Sequence, residues 1–172
     1  ERTVSGRSAG ERRAPEQVTD SFRFTLSRQI LGEIRGPEVW SMIKLMESGA
    51  GSLSTTHSAD AYATMRKLIT CAMEAGPQVT MELAAAKLAD TIDFIVHLTL
   101  IERVGQPQQR FVSQIIEIDG IGESGRPVST NVFTPGPDRH AVPAHHPHCL
   151  PELVEVGFDP SLLDSPHLDP VR

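Results

Sequence analysis

An acid and an imidazole stand 24 residues apart in this chain of 172, each just past a short apolar run. Glu33 follows Arg28-Gln29-Ile30-Leu31-Gly32, and His57 follows Gly51-Ser52-Leu53-Ser54-Thr55-Thr56. A carboxylate can orient a water molecule by accepting its protons, and an imidazole can donate to a phosphate oxygen. The pair therefore suits water activation beside a phosphate. Gly32 carries no side chain, so a bound nucleotide could approach the acid closely. Bland readings exist for each residue. Glu33 could be a surface acid paired with Arg35 or Lys44, and His57 could be a core or helix-cap histidine bonded to nearby backbone. The hydroxyls of Ser54, Thr55, Thr56 and Ser58 count against the bland reading of His57, because that many polar groups at a strand end are costly unless satisfied. Arg35 could bridge to Glu33 or to a phosphate held by a neighbouring subunit.

The elements that must position these residues read as strand, helix, strand. Arg28 to Gly32 reads as a short buried strand. Pro37 opens a helix to Ser48, with Val39, Met42, Ile43 and Met46 on one face. Gly49 suits its C-terminal cap. Ser52 to Thr56 is the second strand. A crossover of this length makes the two strands parallel, and ligands of open parallel sheets sit at the carboxyl ends of the strands. Further along, Ser58 is expected to cap a helix over 59–75, and Thr80 another over 81–89. Ile92 to Ile101 and Phe111 to Ile118 read as an antiparallel hairpin across a turn at Val104-Gly105-Gln106-Pro107. Pro127 to Phe133 offers one more strand. Asp20 could cap a short helix ending near Ser27. After Phe133 the composition turns to Pro, His and Asp, with a short helix expected only at Pro151 to Val156.

Composition narrows the classes. A net charge of −6 argues against a nucleic-acid surface. The longest apolar-rich stretch, Phe94 to Ile101, is too short to cross a bilayer. Two cysteines, Cys71 and Cys149, make no disulfide framework. Cys71 falls on an apolar helix face and reads as a buried thiol. His140, His145, His146, His148 and Cys149 carry zinc-type atoms, but no second cysteine or spaced pair completes a closed site, and no metal is assigned there. The phosphate-loop pattern Gly-x-x-x-x-Gly-Lys-[Ser/Thr] does not occur in these residues. An unrelated hydrolase using Glu33 and His57 as acid and base is a weaker alternative.

Gln29 to Glu38 resembles the Walker B segment of secretion and pilus-assembly ATPases. Gly51 to Ser58 resembles their histidine box, Ala89 to Leu98 the segment that follows, and Phe111 to Ile118 the next strand. The tight-adherence pilus and conjugal-transfer branch is the most similar, over residues 16–160. The resemblance implies an α/β fold: a partial RecA-like P-loop NTPase core of parallel strands and crossover helices, plus an antiparallel C-terminal hairpin. It implies ATP and Mg²⁺ as ligands, a homo-oligomeric, hexameric ring, and docking to pilus or secretion platform proteins of the inner membrane. A cytoplasmic location at the inner face of the cell membrane follows. Glu33 would orient water and His57 would contact the γ-phosphate, with Gly32, Arg35 and Thr56 on the nucleotide. On this frame residues 1–19 are a flexible or truncated start, 20–133 the C-terminal half of the ATPase domain, and 134–172 a Pro/His-rich tail. The sequence departs from the pattern in its missing phosphate loop and the missing acidic box before Walker B. Ser27 also stands where an aspartate usually opens the Walker B segment. These departures suggest a C-terminal fragment, a truncated product, or a non-catalytic assembly subunit.

Overall fold

The computed structural model describes residues 14–24, 26–49 and 51–164. Most of the start expected over residues 1–19 therefore lies outside the described residues. The first helix, α1, spans Ala14–Ser21. This corrects the helix expected from Asp20 onward: residues 22–24 form turns and a bend instead. Phe22, Phe24 and Leu26 follow no helical period, and all three are exposed.

Strands β1 (Arg28–Leu31) and β2 (Gly51–Ser54) pair in parallel, with Arg28 opposite Gly51 and Leu31 opposite Ser54. β1 is not buried as expected, because only Gln29 is enclosed while Ile30 and its partner Leu53 lie on an exposed face. Helix α2 (Val39–Met46) makes the crossover and buries Val39, Met42 and Ile43 almost completely. Its apolar positions recur at three- and four-residue spacing, which puts them on one stripe. Gly49 follows at φ 78°, a left-handed conformation that glycine adopts freely.

Helix α3 (Ala61–Met73) starts two residues later than expected. Asp60, not Ser58, caps it: the Asp60 carboxylate accepts from the Ala63 backbone N–H at 2.6 Å. The extended backbone of Asp60 lets its side chain turn back onto the first turn. Helix α4 (Met81–Thr91) is capped by Thr80, whose hydroxyl accepts from the Leu83 N–H at 3.2 Å. Its buried face is mostly alanine, at Ala84, Ala85 and Ala89, around a fully buried Leu88. Small residues let this helix approach its neighbours closely.

A second sheet is antiparallel, in the order β3-β4-β5-β6. It comprises β3 (Phe94–Ile101), β4 (Gln109–Ile121), β5 (Pro127–Pro135) and β6 (Ala141–Pro143). The expected hairpin is its first half. β6 was not expected, and it draws part of the 134–172 segment into the sheet by pairing with β5. A three-residue edge strand that ends in proline has no periodicity to read, and an edge position tolerates proline. A short helix α5 (Leu150–Glu155) and a 3₁₀ turn (Pro160–Leu163) complete the described chain. One apolar core joins α2, α3 and α4 to β3 and β4 through residues such as Met42, Leu68, Leu88, Ile95 and Ile116. The fold is thus mixed α/β, a small parallel sheet and an antiparallel one, with the crossover helix α2 and helices α3 and α4 packed into a shared core. Among the described residues no helix is long and apolar enough to cross a membrane.

Candidate functional site

The strand ends meet as a zipped pair of loops. Beyond β1, the Ile34 N–H donates to the Thr55 carbonyl at 2.9 Å. The Thr55 hydroxyl donates to the Gly32 carbonyl, and the Thr56 hydroxyl to the Ile34 carbonyl at 2.7 Å. The parallel pairing therefore continues through side chains after the ladder ends. This spends the hydroxyls that a strand end must satisfy.

That zipping brings Glu33 and His57 together, with His57 Nε2 at 3.4 Å from Glu33 Oε1. Arg35 grips the same carboxylate with two prongs: Nε donates to Oε1 and Nη2 to Oε2, both at 2.6 Å. Hydrogen bonding from Arg35 is the first reason the Glu33 carboxyl is held below its usual range, aided by the charges of Arg35, His57 and Lys67. The same pairing raises Arg35. A carboxylate held in its charged form is a weak proton acceptor at neutral pH and a good hydrogen-bond acceptor. It suits orienting a water better than deprotonating one. Arg35 is 75% exposed and Glu33 31%, so water competes for this ion pair.

Glu38 holds the loop that carries both residues. Its Oε1 accepts the Arg35 N–H at 2.6 Å and the Gly36 N–H at 3.0 Å. Burial works against its charge, but those N–H groups, its own, and the Arg35 guanidinium outweigh it, and its pKa is lowered. Of the other expected site residues, Gly32 has open space where a side chain would stand. Thr56 is held by its bond to Ile34 and by a lysine that sequence reasoning passed over.

That lysine is Lys67 on α3. Its Nζ donates to the Thr56 hydroxyl at 2.8 Å and to the His57 carbonyl at 2.7 Å. One turn on, the Cys71 thiol donates to the Arg35 carbonyl at 3.4 Å, from a buried position. Lys67 and Cys71 are four residues apart, so one face of α3 braces both loops. The i, i+4, i+7, i+11 run of Asp60, Thr64, Lys67 and Cys71 carries that signal in the sequence. It is masked because the run mixes polar and apolar residues.

Arg35, His57 and Lys67 place three cationic or proton-donating groups in one patch, which suits an anionic phosphate. Magnesium fits less well. It takes oxygen ligands in near-octahedral array. Both Glu33 oxygens are engaged by Arg35, and Glu38 Oε1 by backbone.

Residues 16–133, more than half of the chain, match the family described as type II/IV secretion system protein. The chain belongs to that family. Solved structures agree in fold. The Yersinia pseudotuberculosis ATPase DotB matches at 21% identity and TM-score 0.52, covering 60% of this chain and 26% of its own. The Brucella suis VirB11 ATPase of the type IV secretion system, in complex with sulphate, matches at 24% identity and TM-score 0.51, covering 59% and 30%. The Legionella pneumophila DotB ATPase matches at 17% identity and TM-score 0.51. The chain therefore spans less than a third of the length of these structures. Among curated proteins none matches.

Proposed function

We propose that this chain is the C-terminal part of an ATP-hydrolysing motor that drives type II/IV secretion, pilus assembly or conjugal transfer. One observation carries the reading: an acid and an imidazole 3.4 Å apart, at the carboxyl ends of adjacent parallel strands, in a chain of this family. Glu33 orients the attacking water. His57 donates to the γ-phosphate, beside Arg35 and Thr56, and Gly32 leaves room for the nucleotide. Arg35 parks the Glu33 carboxylate and, being exposed, can swing to a phosphate and release it. ATP and Mg²⁺ are the ligands. The phosphate cradle and most of the Mg²⁺ shell must come from elsewhere in the same protein or ring. The assembly is a homo-oligomeric, hexameric ring at the inner face of the cell membrane, docked on secretion or pilus platform proteins and not on nucleic acid.

The test is steady-state ATP hydrolysis by the protein that carries this segment together with a phosphate loop. Glu33→Gln should lower kcat about a hundredfold or more, the scale on which a misplaced reactant slows a reaction, with little change in KM. A Glu33→Gln enzyme with parental kcat sinks the role. Reading the coding sequence upstream of residue 1 is cheaper. An in-frame Gly-Lys-[Ser/Thr] loop supports the motor, and a start codon at this boundary opposes it.

A second reading, a non-catalytic assembly subunit, draws on the two-pronged closure of Arg35 over Glu33 and on Ser27 in place of an aspartate. It predicts that the chain co-assembles with a full-length paralogue and that Glu33→Gln changes neither assembly nor the paralogue's turnover.

A further inference from the structure

We propose that Glu117, Asp119 and His148 form a binding site for a divalent cation of the zinc class. The site is separate from the strand-end site and does not depend on its assignment. Two of the ligands come from β4 and one from the segment just before α5. One ligand atom from each residue lies within 4.8 Å of the other two. His148 Nδ1 stands 2.9 Å from Asp119 Oδ1 and 3.6 Å from Glu117 Oε2. A metal with bonds of about 2.0–2.2 Å needs donor pairs roughly 3–3.5 Å apart. The observed separations straddle that range.

The chemistry of the cluster is unbalanced without a cation. A single ring nitrogen faces two carboxylates and can carry one proton at most. The Glu117 side chain is 8% exposed and that of Asp119 15%. Among the described residues, the ion pairs of both acids run only to His148. Asp119 is exposed as a residue and Glu117 is held by two backbone N–H groups, but among the described residues neither carboxylate forms an ion pair with a lysine or arginine, so one imidazole proton faces two negative charges. A dication at the point where the three donors converge neutralises both.

The surroundings already fix the donors. Glu117 Oε2 accepts the His148 N–H at 2.7 Å and Oε1 the Cys149 N–H at 3.2 Å. These are neutral backbone donors, where a guanidinium holds Glu33, and each oxygen keeps a second lone pair for a metal. Thr130 donates its hydroxyl to Asp119 Oδ2 at 2.9 Å, leaving Oδ1 turned to the imidazole. Outer partners of this kind orient ligating carboxylates and set affinity. An imidazole among the donors favours zinc and its first-row neighbours over magnesium or calcium. The other paired histidines of this segment differ: among the described residues the His140 ion pair runs to Asp138 alone, with its ring stacked on Phe111, and that of His146 to Asp164 alone. The cluster went unread in the sequence because its donors are 31 residues apart and the histidine is one of several. When filled, the site pins the segment before α5 to the centre of the antiparallel sheet.

The experiment is calorimetric titration of the full chain with zinc chloride in metal-free buffer at neutral pH. Cobalt(II) absorption provides a second readout of the donor set. One zinc per chain should bind. His148→Ala and Asp119→Asn should each weaken binding by about tenfold or more, since losing even an outer partner costs that much. A His145→Ala, His146→Ala double variant should bind as the parent does. His148 is 73% exposed, so its alanine variant should keep the parental thermal transition in the absence of metal. Hydrogen exchange across residues 144–156 should slow on zinc addition in the parent and not in His148→Ala. No binding by the parent up to millimolar zinc overturns the proposal. So does undiminished binding by both ligand variants, or binding lost only in the His145/His146 control.

Discussion

Glu38 offers the sharpest test of how the loop at the strand ends is held. Glu38→Ala removes one carboxylate oxygen that accepts two backbone N–H groups, from Arg35 at 2.6 Å and Gly36 at 3.0 Å. A fully buried hydrogen bond to a charged group is worth roughly 1.5–3 kcal/mol, and an orphaned donor carries its own desolvation cost. Here the Glu38 side chain is half-buried and Arg35 is exposed, so the Arg35 N–H can rehydrate in the variant while that of the buried Gly36 is less able to. The pair should then cost about 1–2 kcal/mol together, near the value of a lost helix cap. For a chain of this size that lowers Tm by roughly 4 °C. Glu38→Gln keeps a neutral acceptor and should recover about half. The pH dependence has a fixed sign. The folded carboxyl has a lowered pKa. Its stabilisation is therefore complete above the ordinary glutamate value of about 4.3 and is lost as pH falls through the depressed folded value. Urea midpoints of parent and Glu38→Gln, measured across that window, should converge toward low pH. A Glu38→Ala protein as stable as the parent at neutral pH refutes the reasoning. A parent-minus-Gln difference that persists unchanged in acid also refutes it.

Other substitutions follow from the same geometry. Asp60→Ala should cost about 1 kcal/mol by removing the α3 cap, while Asp60→Asn should cost a few tenths; urea titration of both separates cap chemistry from charge. Leu88→Ala should cost about 3 kcal/mol, because Leu88 is fully buried where α4 meets the sheet and its site cannot collapse completely. A loss under about 1 kcal/mol would mean that α4 repacks freely. Lys67→Met keeps the aliphatic stem and removes the bonds to Thr56 and His57. Hydrogen exchange of residues 55–58 should quicken, while the far-UV spectrum stays parental.

The strand–helix–strand core was legible because its signals are local. Ile30-Leu31 and Leu53 sit in short apolar runs, and Val39, Met42, Ile43 and Met46 repeat at helical spacing. A parallel pair joined by one helix has few arrangements, so Glu33 and His57 fall at one sheet edge. Contact between them at 3.4 Å was less secure. It depends on Thr55 and Thr56 reaching back to the carbonyls of Gly32 and Ile34. Helix starts were misjudged where two cap residues compete, as Ser58 and Asp60 do. There the longer acidic side chain, on extended backbone, takes the N–H.

By itself the sequence determined which residues carry charge, where the elements from β1 to β5 begin to within a turn, and the order of elements that puts an acid and an imidazole after neighbouring strands; it misplaced α1 and missed β6. Those outcomes rest on backbone propensity and periodicity, which act over a few residues. Only the tertiary structure decided that Lys67 and Cys71 brace the loops, that Arg35 closes over Glu33 with both prongs, and that β6 extends the sheet. It alone set His148 against Glu117 and Asp119. Each of these joins groups distant in the chain or chooses among equivalent local partners. The choice follows from packing α3 and the antiparallel sheet around one core, where buried polar groups settle on whatever partner the closed fold leaves within reach.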